Sequence, residues 1–377
     1  MAQKGDVLWL VALSLGLASV QLAYNSYPAA LPLLREEWAM SNAAAGLIQA
    51  AFYGGYLLAV VLLLPLTDRS IPAKYVWAAS ILLTALSNVL FPLSAGGKLS
   101  AMAWRALAGF GTVGVYMPGV RLISERFTAS HRGTPMGLYL SSFGLAGAIS
   151  FALIGGLIPS SGWRGAYLIT GLVGFIGLLP AWHVLRSTPT PSLQPQSHPV
   201  SIAATITHRP LLLAVLAYAV HNWELIGMKS WMVPFFAAAL VKQGEGLASA
   251  TAQGSMLTAL LSIVGAIAMA FTGSISDRYG RTLTAGSIMA IAGVCSFTIG
   301  WLIDSPSWLI IAVSMIYGIT VVAESLVLTT AVTELAPPGR LGAAQASQSF
   351  MGNITSLLAP VAFGAVLDMG RLGTGLL

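Results

Sequence analysis

Charge is scarce in this chain: Lys, Arg, Asp and Glu together make up 8% of its 377 residues, where a soluble domain carries about 25%. With 56% of residues hydrophobic and a mean hydropathy of +0.81, too little polar surface remains to face water, so lipid is the solvent for most of the chain. Cysteine is nearly absent as well. The single Cys295 lies in an apolar run and excludes both a disulfide framework and a cysteine metal site. The five histidines and 12 acidic residues form no metal-ligand set, and neither H-E-x-x-H nor G-x-S-x-G occurs, which argues against an intramembrane enzyme and leaves no cofactor to expect. There is no G-x-x-x-x-G-K-[ST] loop, so an ATP-driven pump would lack its nucleotide site. The net charge of +6 comes from Lys and Arg spread between apolar runs rather than gathered in a patch, so nucleic acid is not an expected partner. The first apolar run, after MAQKGD, is too long for a cleavable signal and lacks a small-residue cleavage site; it predicts a retained first span.

What is present is a series of apolar windows of about 20 residues, each long enough to cross a bilayer as a helix. They fall at 8–33, 43–65, 75–95, 100–121, 134–158, 165–185, 211–240, 250–275, 283–303, 308–331 and 343–367, which predicts an all-α polytopic membrane protein with eleven visible spans. The runs are twice the length of a barrel strand and do not alternate, so strands are excluded. If the N-terminus is cytoplasmic, eleven Lys and Arg residues fall on the inner side and five on the outer, and this excess sets the expected orientation. Residues 187–208, with Pro189, Pro191, Pro195 and Pro199, read as an extended cytoplasmic linker between halves at 1–186 and 209–377.

The halves repeat. Asp68-Arg69 and Asp277-Arg278 each follow the second span of their half and stand 209 positions apart; the same offset sends Gly109 to Gly318, Glu125 to Glu334 and Gly133 to Gly342. Parallel repeats of six spans are a transporter architecture. The loop GSISDRYGR, residues 273–281, resembles the G-x-x-x-D-R-x-G-R signature of the major facilitator superfamily, and RALAGFGTVG, residues 105–114, is similar to its fourth-span motif. The first-half loop LPLTDRSIPAK keeps Asp68 and Arg69 but has Leu64 where the family usually has glycine. More loosely, YNSYPAALPLL and HNWELIGMKSW resemble the cyanate and nitroimidazole permease branch. The resemblance implies two helical bundles of the major facilitator type and a central pathway lined by spans 1, 4, 7 and 10 and flanked by spans 2, 5, 8 and 11. It also implies a cytoplasmic latch made of Asp68, Arg69, Gly273, Asp277, Arg278, Gly280 and Arg281; the alternative for the basic members is simple topology marking. The repeat would put a counterpart of span 6 at 374–394, past Leu377, so the twelfth span of the family is expected to be missing from this sequence.

Polar side chains gather at helical spacing in the spans assigned to the pathway. Tyr24 and Asn25 in span 1, Tyr53 in span 2, Arg105 and Tyr116 in span 4, and Gln348 in span 11 are candidate solute contacts, with helix-packing roles as the alternative for the uncharged ones. Span 7 carries His221, Trp223, Glu224, Lys229 and Trp231 inside one apolar run. A charge at that depth costs roughly 2.5–3.5 kcal/mol on insertion scales. Glu224 and Lys229 are five apart, about 140° around a helix, so they do not face each other, and each is expected to face an aqueous cavity or a partner on another helix, with Glu324 and Arg105 as the candidates. Lys229 and Arg105 are candidate anion-binding cations within a wall of Tyr and Trp; Glu224, Glu324 and His221 are candidate proton-coupling groups. The alternative is a purely structural buried network. The predicted function is a monomeric secondary transporter of a small, anionic solute, possessing no metal and working by alternating access, coupled to protons by symport, in a bacterial inner membrane. Two other readings stay open: an exporter of drugs or metabolites, and a transport-inactive scaffold or sensor in the membrane.

Overall fold

The computed structural model describes residues 4–69, 71–128, 131–189, 208–337 and 340–374, and no strand occurs among them. The helices are α1 (Lys4–Gln21), α2 (Ser26–Glu37), α3 (Asn42–Arg69), α4 (Ala73–Ser94), α5 (Lys98–Arg126), α6 (Gly133–Ile176), α7 (Leu178–Ser187), α8 (Arg209–Lys242), α9 (Leu247–Tyr279), α10 (Arg281–Ile299), α11 (Ser307–Leu335) and α12 (Leu341–Thr374). Ten stretches among the described residues are long and apolar enough to cross a membrane, with α1–α2 and α6–α7 each counted once. A backbone N–H or C=O in lipid finds no water, so apolar runs of this length adopt the structure that satisfies its own backbone. Predicted span 5 falls in α6, and span 6 runs from the end of α6 through α7; Gly162 breaks α6 between them with φ 63, a region only glycine enters freely. The chain divides into two compact units, residues 1–40 with 47–197 and residues 41–46 with 198–377. Residues 190–207 of the predicted linker lie outside the described residues.

In unit 1 the first span is not one helix. It opens between Gln21 and Ser26, and α6 holds the opening in place: the Asn25 N–H donates to Ser150 Oγ at 3.1 Å and its side-chain amide donates to the Gly147 carbonyl at 2.6 Å. Ser26 and Thr170 hydroxyls pair at 3.0 Å. Pro28 falls in the first turn of α2, where no intrahelical donor is lost. Broken backbone at membrane depth is tolerated where protein re-satisfies it. The α3–α5 crossing depends on two glycines. A Cβ on Gly55 would overlap the Ala106 carbonyl oxygen, and one on Gly109 would overlap that of Phe52, so small residues bring the two backbones into contact.

Unit 2 repeats this packing. Gly318 faces Leu261, its built Cβ lying 3.1 Å from the Leu261 Cβ, and these two stand 209 positions after Gly109 and Phe52. Unit 2 also includes the start of α3. The N–H groups of Asn42 and Ala43 donate to the two carboxylate oxygens of Asp368 at 2.9 and 2.8 Å, an acidic cap on a helix N-terminus.

Candidate functional site

Each unit carries a buried polar cluster, and the two differ in chemistry. In unit 1 the centre is Arg105, on α5, with 1% of its surface exposed. Its guanidinium lies 4.7 Å from the Phe52 ring centroid and 5.3 Å from that of Tyr27, and one terminal nitrogen donates to Gln49 Oε1 at 2.9 Å. Among the described residues the other terminal nitrogen and Nε have no hydrogen-bond partner, and the Tyr167 hydroxyl lies near the guanidinium. Gln49 and Phe52 come from α3, held close by the glycine crossing, so the packing that brings α3 to α5 also builds the cage. Aromatic faces attract the cation but offer no acceptor for its N–H groups. No carboxylate pairs with Arg105 among the described residues, so the arrangement is a buried cation with donors to spare.

The other unit 1 candidates divide. The Tyr24 and Tyr53 hydroxyls pair at 3.2 Å, and Tyr24 also packs edge-on against Phe52, which joins both tyrosines to the Arg105 cage. Tyr116 packs against Phe143 with ring centroids 5.3 Å apart. The Asn25 side chain is committed to the α6 backbone, so its role in the structure is to hold the break in the first span. Gln21, at the end of α1, is not among the candidates that the sequence marks. It is fully buried with neither amide atom partnered.

In unit 2 the cluster spans α8 and α11. His221 Nδ1 lies 3.0 Å from Glu324 Oε2 and His221 Nε2 lies 2.6 Å from Ser325 Oγ. Both members of the ion pair have side chains with no exposed surface. Among the described residues the second oxygen of Glu324 is buried without a partner, as is Glu224 Oε1, and the Tyr317 hydroxyl of α11 lies near the Glu224 carboxylate. Of the span 7 groups His221 meets Glu324, and Arg105 bonds Gln49 in its own unit. Lys229 makes no ion pair or hydrogen bond among the described residues; it stands eight residues beyond His221, about 12 Å along a regular helix.

The tryptophans contact α12. Trp231 donates to the Pro360 carbonyl at 3.2 Å, and Trp223 stacks obliquely on Phe363 at 6.1 Å, so both tie α8 to α12. Gln348 donates to Thr329 Oγ1 at 3.0 Å. At the turn between α9 and α10, Gly280 takes φ 86, as a non-helical corner requires. Gly273 sits against Leu326, 3.3 Å from its built Cβ. Arg281, not Arg278, gathers the carboxylates, with Asp277 at 2.7 Å and Glu334 at 2.8 Å; the Asp277 carboxylate bonds its own turn, four residues on. Arg278 lies over the Tyr279 ring at 5.4 Å. The side chains of Asp68 and Arg69 lie outside the described residues.

The model of the Major Facilitator Superfamily matches residues 13–360. A "Probable hexose phosphate transport protein" of Chlamydia pneumoniae is 31% identical over 166 residues, covering 44% of this chain; the chain spans only 36% of that relative's length. The "Hexuronate transporter" of Bacillus subtilis is 21% identical over 360 residues, 90% of this chain and 82% of that one. Among solved structures, a bacterial homolog of the human lysosomal transporter Spinster superposes with a TM-score of 0.81 at 15% identity, over 96% of this chain and 82% of the other. At that identity the likeness is one of fold.

Proposed function

The chain belongs to the major facilitator superfamily, and on that premise we propose that it is a secondary transporter moving a small organic anion by alternating access, with protons as the coupling ion. The observation that carries the reading is the Arg105 guanidinium, buried in an aromatic cage with two nitrogens unpartnered. Leaving such a charge unpaired is costly, and a carboxylate or phosphate oxygen would fill the vacant donors with charge-assisted hydrogen bonds. Lys229 is the second free cation among the described residues of the membrane interior. The relatives named above take hexose phosphates and hexuronates, and both names denote a polar body with one anionic head. Tyr24, Tyr53 and Tyr116 are assigned to shaping the surroundings of Arg105, Trp223, Trp231 and Gln348 to shaping those of Lys229, and Asn25 to holding the break in the first span.

The coupling groups are His221, Glu324 and Glu224. An imidazole and a carboxylate in contact form a coupled pair that holds one proton or two, and the unpartnered oxygens of both glutamates are sites where a second proton can reside. The charges are not duplicated by the repeat: Ala12 and Val115 stand 209 positions before His221 and Glu324, and Ser314 stands 209 after Arg105. Anion binding is thus assigned mainly to unit 1 and proton handling to unit 2, in bundles of residues 1–186 and 209–377 joined by a cytoplasmic linker at 187–208. Asp277, Arg278 and Arg281, with Asp68 and Arg69 in the first half and Gly273 and Gly280 at the turn, are assigned to the latch. The protein is placed in a bacterial inner membrane as a monomer with its N-terminus cytoplasmic.

The test is uptake into proteoliposomes under an imposed pH gradient, with labelled glucose 6-phosphate, glucuronate, cyanate and uncharged glucose as probes. Saturable uptake of at least one anion and none of glucose is expected. Glu324→Gln keeps the shape but cannot titrate. It is expected to retain exchange of anion for anion while accumulation driven by the gradient collapses to the zero-gradient level. Transport of glucose alone would overturn the anion assignment, and no uptake of any solute by folded protein would favour the scaffold reading.

A further inference from the structure

Unit 2 holds a cavity of about 290 Å³ lined by Ile275 and Tyr279 of α9, Thr284 and Ser287 of α10, and Thr320 and Ala323 of α11, among others. The repeat explains why it is open. Thr272, Thr320 and Ala323, all lining residues, stand 209 positions after Leu63, Gly111 and Gly114. In unit 1 the corresponding site is sealed. A Cβ on Gly111 would clash with Thr84 Oγ1, and one on Gly114 would clash with Ser80 and come within 3.3 Å of Leu63 Cδ1. Two glycines there let α4 sit directly on α5. Unit 2 has side chains at both positions, which hold α10 off α11 and leave a groove that opens between α9 and α10.

Three features of the groove point to one kind of occupant. Its lining is mostly apolar, and it begins at the exposed residues Tyr279 and Leu283 next to the α9–α10 turn. Thr272 lies seven residues further into α9 than Tyr279, about 10 Å deeper at 1.5 Å per residue. Thr284 is 5% exposed, lines the cavity, and its hydroxyl has no hydrogen-bond partner; a buried donor of this kind lacks an acceptor. Next to the lining residue Tyr279, Arg281 is occupied by Asp277 and Glu334, whereas Arg278 makes no ion pair among the described residues and lies over the Tyr279 ring. An apolar slot, then a hydroxyl donor, then a free cation is the order of groups along a glycerophospholipid: acyl chain, ester carbonyl, phosphodiester.

We propose that the groove between α9, α10 and α11 is a binding site for one glycerophospholipid from the leaflet that the α9–α10 turn faces. The acyl chain lies along Ile275 and Ala323, the Thr284 hydroxyl donates to an ester carbonyl, and the phosphodiester meets Arg278. The lipid then occupies the space that glycine packing closes in unit 1, and it ties together three helices of the bundle that carries Glu324. The site is separate from the solute and proton assignments and stands whether or not those hold.

The experiment uses delipidated full-length protein in detergent, titrated with phosphatidylcholine carrying a diazirine on one acyl chain, then irradiated and digested, with adducts located by mass spectrometry. Diacylglycerol bearing the same diazirine is the phosphate-free probe. Adducts with the phospholipid are expected to saturate and to concentrate on residues 272–288 and 319–323. Ser287→Trp and, independently, Ala323→Leu fill the groove and are expected to remove these adducts from protein that still elutes as a single species. Arg278→Gln is expected to weaken phospholipid labelling about tenfold, down to the level of diacylglycerol. Labelling that spreads equally to exposed Phe297 and Trp301, or persists in both filled variants, would overturn the proposal. So would equal labelling by diacylglycerol with no effect of Arg278→Gln, or crosslinks through the groove to a second copy of the chain.

Discussion

Arg105→Met is expected to abolish saturable anion uptake while leaving the protein folded. Methionine keeps much of the length and apolar bulk of the side chain and removes only the charge and the N–H groups. Two of the three guanidinium nitrogens have no hydrogen-bond partner among the described residues, so the substitution relieves buried unsatisfied donors while Gln49 Oε1 loses its bond. Replacing a buried ion by an apolar side chain of similar volume is often neutral or stabilising, and the unfolding temperature in detergent should hold or rise. Uptake responds differently. Losing one partner of a buried charge pair costs about 2–5 kcal/mol, which is roughly thirtyfold to a few thousandfold in uptake efficiency. Arg105→Lys retains the charge but loses the planar fork, and should fall between the two. The measurement is initial uptake rate against anion concentration, alongside thermal unfolding of the same preparations. A fall in unfolding temperature that matches the loss of uptake would assign Arg105 to structure instead.

The second large effect is on folding. Gly109→Val is expected to destabilise unit 1 severely, because its Cβ would overlap the backbone carbonyl of Phe52 and a carbonyl inside a helix cannot turn aside. Overpacking of a core costs about 1–3 kcal/mol when side chains can give. Here the whole of α3 must move, so a loss at the upper end of that range lowers the unfolding temperature by about 6–12 °C. The displaced helix carries Phe52 and Gln49, so uptake in the surviving folded fraction should fall too. Gly144 is the matched control. It lies within α6 with nothing near its built Cβ, and Gly144→Ala should leave unfolding within about 1 °C. An equal fall for both variants would mean that the glycine crossing is not what holds α3 to α5.

Several features of the candidate site were legible in the sequence because they are properties of single residues in an apolar context. Arg105, His221, Glu224, Lys229 and Glu324 stand out since a charge within a span is rare, whatever surrounds it. Their partners were not legible. His221 and Glu324 are 103 residues apart, and which of His221, Glu224 or Lys229 meets Glu324 depends on how α8 is rotated against α11. Phe52 and Tyr27 carry no charge to mark them, and they become part of the site only because aromatic faces surround Arg105. The contacts of Trp223 and Trp231 with α12 were not legible either, because Pro360 and Phe363 are more than 120 residues away in sequence and carry no charge. The choice of Arg281 over Arg278 as the carboxylate partner likewise follows from Gly280, whose positive φ starts a new helix and points the two arginines in different directions.

Hydropathy alone determined that the chain is a set of membrane-spanning helices, since runs of that length and composition have one favourable backbone form in lipid. The constant offset of 209 determined that there are two related halves, and scarcity of charge determined where chemistry could reside. The tertiary structure alone decided which helices touch and how closely. That choice is made by small residues facing each other across helices distant in sequence: Gly55 and Gly109 bring α3 onto α5 and enclose Arg105, Gly111 and Gly114 seal α4 against α5, and Thr320 and Ala323 hold the equivalent pair apart. A methyl group more or less at such a position is nearly invisible in a hydropathy profile, but it sets the distance between two backbones, and with it whether the space between them is filled or open.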